Sequence, residues 1–253
     1  MTVYLDNNIF IDIEKGLYSI ENLLKNVDKN LDRFFYSASH LQELNEIKAG
    51  TEEKLVERIN KRFETISIVT NNNYLFHNRY KNEIVKLKEK PSIVYKTINE
   101  VPFAQNAMKQ LINIVSEEQK ELFRYQLNID IKKINNYTPE EVINHINSKS
   151  DLLGGFSFLG LIEKAIEAHP QGDKMGLHNR VAGIFELLDM FGYWKDRFNE
   201  KSNYARLWDA SHTFFSSFCD FFISNDRRTR NKAKVVFDIY NIKTSVVSSK
   251  GID

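Results

Sequence analysis

Four carboxylates stand out as residues that could do chemistry together: Asp6, Glu43, Asp209 and Asp226. Carboxylates brought within a few ångströms repel one another, and must either protonate or share a cation. An all-oxygen donor set suits Mg2+ or Mn2+ better than zinc, and no group of histidines and cysteines has zinc-ligand spacing. Singly, each acid also has an ordinary use. Asp6 suits a turn, Glu43 complements a helix dipole, Asp209 suits an N-cap, and Asp226 suits the cap of a basic helix. Only the constellation points to a metal-binding site.

Around Asp209, helical spacing puts His212, Thr213 and Ser216 on the same stripe, with Leu207, Phe214 and Phe218 on the opposite side. A solvated stripe would carry lysine and glutamate, whereas this one carries small polar groups, one acid and one histidine, as a site wall does. His212 is suited to orienting a carboxylate, touching phosphate or shuttling a proton, and equally to a structural hydrogen bond. After Asp226 come Arg227, Arg228, Arg230, Lys232 and Lys234, which either grip a phosphodiester backbone or form a solvated helix face. Asp220 either joins the acidic cluster or begins a strand, and the second is preferred. The single cysteine, Cys219, lies in an apolar run and reads as a small buried hydrophobe, so there is no disulfide framework.

The elements that must position these residues are legible at both ends of the chain. Val3, Tyr4 and Leu5 form a buried strand that stops at Asp6, with turn chemistry from Asn7 and Asn8. A helix from about Ile20 leads to a second strand, Phe34 to Ser37, and Ser39 with Gln42 offers a capping box for the helix carrying Glu43. At the other end, a helix from about Tyr204 to Phe218 precedes a strand from Asp220 to Ser224. A turn at Asn225 and Asp226, a basic helix and a strand from Thr244 to Val247 follow. This alternation predicts an α/β fold with a parallel sheet sandwiched by helices, whose sites lie beyond the C-terminal strand ends. Residues 71–200 read as a large helical insertion punctuated by Pro91, Pro102, Pro139 and Pro170. Its clearest parts are aromatic-rich helices at Phe156–Ala168 and Leu177–Trp194, with Gly160 and Gly183 placed for close helix contact.

With those residues in place, the chain resembles the PIN-domain family of metal-dependent ribonucleases. VYLDNNIFIDI resembles the first motif, SASHLQEL the second, and WDASHTFFSSFCDFFISNDRRTRNKA the third and fourth. The match covers about the first 65 and last 50 residues, so the PIN-like domain is read as residues 1–70 and 201–253, with 71–200 outside it. The resemblance implies a PIN-like fold and an endoribonuclease that hydrolyses RNA with a metal-activated water, the ion being Mg2+ or Mn2+. Asp6, Glu43, Asp209 and Asp226 would be the metal ligands and, with His212, the catalytic residues, while Arg227, Arg228, Arg230 and Lys232 would bind nucleic acid. The family includes toxins of toxin-antitoxin pairs and RNA-processing enzymes, so it implies an RNA substrate, a protein inhibitor or antitoxin, and a homodimer as candidate partners.

Composition limits the field without choosing within it. The 253 residues are 42% hydrophobic and 27% charged, ordinary for a folded globular protein, and a net charge of +1 advertises no global attraction for nucleic acid. No signal-peptide pattern opens the chain and no apolar run is long enough to span a bilayer, so a cytoplasmic location with no membrane partner is expected. Two other readings compete. A phosphatase-like hydrolase could use Asp6 as nucleophile, but the second aspartate such enzymes place two residues on is Asn8 here. An inactive PIN-like module could instead bind a partner through the helical insertion.

Overall fold

The structure is a computed structural model and describes residues 1–99, 115–196 and 200–251. The chain is α/β and divides into two compact units. The first comprises Met1–Phe103, Phe215–Arg230 and Lys243–Asp253, the second Ala104–Phe214 and Asn231–Ile242. No helix among the described residues is long and apolar enough to cross a membrane.

The strands β1 (Thr2–Leu5), β2 (Arg33–Ser37), β3 (Asn73–Asn78), β4 (Glu83–Lys88), β5 (Phe221–Ile223) and β6 (Ser245–Val247) belong to the first unit. They form one sheet in the order β4-β3-β2-β1-β5-β6, parallel throughout except for the antiparallel pair β3 and β4. Val3, Tyr4 and Leu5 are fully buried, as expected of a central strand covered on both faces. From β1 the chain crosses to β2 on one side, while β5 takes the place on the other. The order therefore reverses at β1, and in open sheets ligands bind beyond the C-terminal strand ends at such a point.

Helices α1 (Asn7–Glu14), α2 (Ile20–Asn26), α3 (Ala38–Gln42), α4 (Glu52–Thr70) and α5 (Pro91–Asn99) flank this sheet. Ile9 and Phe10 of α1, Leu23 of α2 and Ile66 of α4 share one core with Val3 and Leu5. Tyr4, on the opposite face by strand alternation, packs with His40, Phe215 and Phe222.

Three details differ from expectation. The stretch expected to be helical from residue 71 begins instead with the β3–β4 hairpin, paired from Asn73↔Lys88 to Asn78↔Glu83. Asn71 and Asn72 end α4 with φ of 49° and 60°, and Asn82 turns the hairpin with φ of 50°. Asparagine tolerates this left-handed region better than most residues, so these asparagines act where glycine would have been the obvious signal. The strand pattern is also weak, because Phe76 is 41% exposed while its neighbours Tyr74 and Leu75 are buried. Secondly, the capping box forms at Ser37 and His40 rather than at Ser39 and Gln42. Ser37 ends β2 in extended geometry, φ −137° and ψ 176°, which an N-cap requires. Thirdly, α3 stops at Gln42, so Glu43 opens a 3-10 turn, Glu43–Glu46, instead of lying within the helix.

The second unit is helical: α6 (Glu117–Gln126), α7 (Ile131–Ile134), α8 (Pro139–Asn147), α9 (Phe158–Glu167) and α10 (Leu177–Met190). Two further helices, α11 (Glu200–Ser216) and α12 (Arg227–Ile239), each contribute residues to both units. Pro139 sits in the first turn of α8 behind a Thr138–Glu141 capping box. At Gly183 a Cβ would meet Ile162 of α9 at 3.4 Å, an ordinary contact, so the approach of these helices does not require glycine there. Gly160 instead lies over Ser157, the N-cap of its own helix, with 3.1 Å between Oγ and a hypothetical Cβ.

This unit also buries charge. Lys120, Asp189, Arg206 and Lys232 are at most 5% exposed. Lys120 meets Asp189 at 2.7 Å, and Arg206 meets Glu186 at 2.8 Å, Asp189 at 3.1 Å and Asp196 at 3.4 Å. Lys232 lies 3.0 Å from Asp196 and 3.9 Å from Asp189. Burial alone would raise the Asp189 carboxyl, but the Arg206 and Lys232 charges outweigh it and hold Asp189 below the usual carboxylate range.

Candidate functional site

Asp6 occupies the switch point. It is the residue at which β1 ends and α1 begins, in extended geometry, and its backbone N–H donates to Ile223 O of β5 at 2.8 Å. Asp6 is 4% exposed. Oδ1 accepts from the Asn7 N–H at 2.6 Å, and Oδ2 accepts from Asn8 Nδ2 at 2.6 Å and Ser224 Oγ at 2.5 Å. Donors of this kind compensate for taking a charge out of water.

Ser224, just past the end of β5, joins Asp6 to the Asp226 turn. Its Oγ accepts from the Asp226 N–H at 3.1 Å while donating to Asp6. Asp226 is exposed and caps α12, its Oδ1 accepting from the N–H groups of Arg228 at 2.7 Å and Thr229 at 3.2 Å. On the other side of Asp6, Glu43 is partly buried and its Oε2 accepts from Asn7 Nδ2 at 2.7 Å. Asp6, Glu43 and Asp226 are therefore linked in the first unit through Asn7 and Ser224.

Beneath them, Tyr4 and His40 support the end of β1. His40 is fully buried; Ser37 N–H donates to its Nδ1 at 3.0 Å, and its Nε2 lies 2.7 Å from Leu5 O. An N–H can only donate and a carbonyl can only accept, so Nδ1 is the bare nitrogen and Nε2 carries the proton. The Tyr4 hydroxyl lies 2.6 Å from Ser37 Oγ. Burial, partly offset by Ser37 and reinforced by the Asp6 and Glu43 charges, pushes this hydroxyl well above its ordinary range. Tyr4 stays a neutral hydroxyl.

The remaining expected site residues are divided between the two units. Asp209 is partly buried, and His212 is 1% exposed with Thr213 and Ser216 fully buried; Asp209, His212 and Thr213 belong to the second unit and Ser216 to the first. Phe218, expected on the opposite face, lies beyond the end of α11 and is 36% exposed. The basic run also divides. Arg227 is exposed and Arg228 partly so, but Arg230 is 5% exposed and donates to Ser224 O at 2.9 Å, and Lys232 is taken up by the buried charges of the second unit. Asp220 holds Thr2 through its backbone N–H at 2.7 Å and its hydroxyl at 3.0 Å, at the strand ends opposite Asp6.

Among the described residues, no three histidines, cysteines, aspartates or glutamates gather closely enough to hold a metal ion. Ser224 ties the Asp6 carboxylate to the Asp226 backbone, and a magnesium-type ion is commonly held by only one or two carboxylates, completing its shell with water and substrate phosphate. Asp6 and Asp226 do not form a closed cage. The partners of Asp6 escaped sequence reasoning, although Ser224 had one available signal, its place at a strand end two residues before Asp226. The buried charge cluster had none, because its members are scattered from Lys120 to Lys232.

The chain matches no protein-family model, no curated protein and no solved structure.

Proposed function

We propose that this chain is a divalent-metal-dependent endoribonuclease of PIN-like fold. The observation that carries this reading is Asp6 at the C-terminal end of the central parallel strand, where the sheet order reverses, with Ser224 and Asp226 at the neighbouring strand end. The motif resemblance supplies the rest. By the resemblance, Asp6, Glu43, Asp226 and Asp209 would hold Mg2+ or Mn2+, which requires Asp6, Glu43 and Asp226 to draw closer together than they stand. A bound ion would supply an activated water and stabilise charge developing on the phosphate. The chain's own residues orient these acids: Ser224 and Asn8 hold Asp6, Asn7 holds Glu43, and the α12 N-terminus holds Asp226. Of the basic run, Arg227 and Arg228 have the exposure needed to meet an RNA backbone.

The test is incubation with mixed RNA and single-stranded DNA in magnesium, manganese or EDTA. RNA cutting that needs metal and disappears in Asp6→Asn and in Asp209→Asn supports the nuclease and its ligands. A second reading, a non-cutting PIN-like module acting through its helical region, is favoured by one observation: both Asp6 oxygens already accept hydrogen bonds. Folded protein that neither cuts nor melts at a higher temperature with metal would establish that reading instead.

A further inference from the structure

We propose that Arg62 is a positioning residue for Glu43, acting through Asn7, an inference that rests on the nuclease reading above. Arg62 lies on α4 and is 5% exposed. Its guanidinium pairs with Glu14 at the end of α1, through Nε and through Nη2, the latter 3.2 Å from Oε2. Glu14 compensates the buried charge, as a buried cation requires. The third contact goes beyond that need: Nη1 donates to Asn7 Oδ1 at 2.6 Å.

The direction of the chain of bonds follows from donor chemistry. A guanidinium has donors only, so the Asn7 atom facing Arg62 must be the oxygen, and the amide cannot flip without setting donor against donor. Nδ2 is thereby aimed at Glu43 Oε2, 2.7 Å away. Asn7 is itself 7% exposed, so water has little access to take over the bond. Arg62 on α4 and Glu14 on α1 thus set the orientation of an acid on the turn after α3. Lysine could keep the charge but not the three-way fork.

The test compares wild type with Asn7→Leu, Arg62→Lys and Arg62→Met by two readouts: the manganese concentration at the midpoint of thermal stabilisation, and kcat against KM for RNA cutting. Each variant is expected to raise the manganese midpoint, by about 10–100-fold for Asn7→Leu and Arg62→Met, and to lower kcat with little change in KM. A merely structural contact would lower the melting temperature in EDTA without moving the midpoint. Asn7→Leu keeps both the Arg62–Glu14 pair and the backbone N–H that Asp6 accepts, so it decides the matter where Arg62→Met fails to fold. Wild-type midpoints and kcat in the variants would overturn the positioning role alone. A wild type that neither cuts RNA nor gains stability with manganese would overturn the nuclease reading and the positioning role with it.

Discussion

His77 on β3 couples stability to pH through a single imidazole. Burial, with Arg79 adding to it, pulls His77 from its ordinary 6.5 to about 4. Between those values the unfolded chain binds a proton that the folded chain refuses. This contribution is therefore complete above about pH 6.5, falls as the pH drops, and is gone below about 4. Urea midpoints measured across that window are expected to decline toward acid, and His77→Gln to flatten the decline; an unchanged slope would assign it to other groups. Cys219 tests burial in the same direct way. Its thiol is pushed up to about 12 by burial, so it should resist alkylation at pH 8 until the protein is unfolded. Labelling of the native protein at the rate of a free thiol would contradict this. What sequence could show at this scale was limited by separation along the chain. Asp6, Glu43 and Asp226 sit near element boundaries, which leave local signals, but Ser224 reaches Asp6 across 218 positions and Arg62 reaches Asn7 across 55, and nothing local encodes those bonds.

At the scale of elements, period and turn chemistry located β1, β2, β5 and β6 to within a residue or so at each end, because buried parallel strands are continuous apolar runs bounded by polar turns. The β3–β4 hairpin was illegible for a related reason, since side chains are exposed on both faces, Phe76 and Leu87 on one and Lys86 and Lys88 on the other, and its turns use asparagine. Those asparagines give a prediction. Asn71 ends α4 at φ 49°, where a β-branched side chain is strained. Asn71→Val is expected to destabilise the protein by about 1–2 kcal/mol in urea unfolding, while Asn71→Gly is tolerated. Equal stability of the two variants would show that the left-handed turn does not persist in solution. Helical spacing likewise located α12, but not the inward turn of Arg230 and Lys232, because a periodicity of basic residues says nothing of which face meets a buried acid.

At the scale of the whole molecule, each unit is held by a different kind of core. The first relies on a sheet with apolar faces; the second also buries at least three cations against three carboxylates. Removing one partner from such a cluster leaves charge uncompensated in a dry setting. Asp189→Asn, which strips the acid shared by Lys120, Arg206 and Lys232, is expected to cost about 3–5 kcal/mol of stability, read from denaturant midpoints. A loss below about 1 kcal/mol would mean that water reaches the cluster and screens it. The sheet has a consequence in time as well as in space. β1 is made first and pairs with β5, Val3 opposite Phe221. At roughly 5–20 residues per second, synthesis leaves β1 without that neighbour for roughly 10–40 s. Throughout that interval Asp6 has no Ser224 to hold it. On the nuclease reading proposed above, a site assembled this late would stay silent on the ribosome, sparing the message that is still being read.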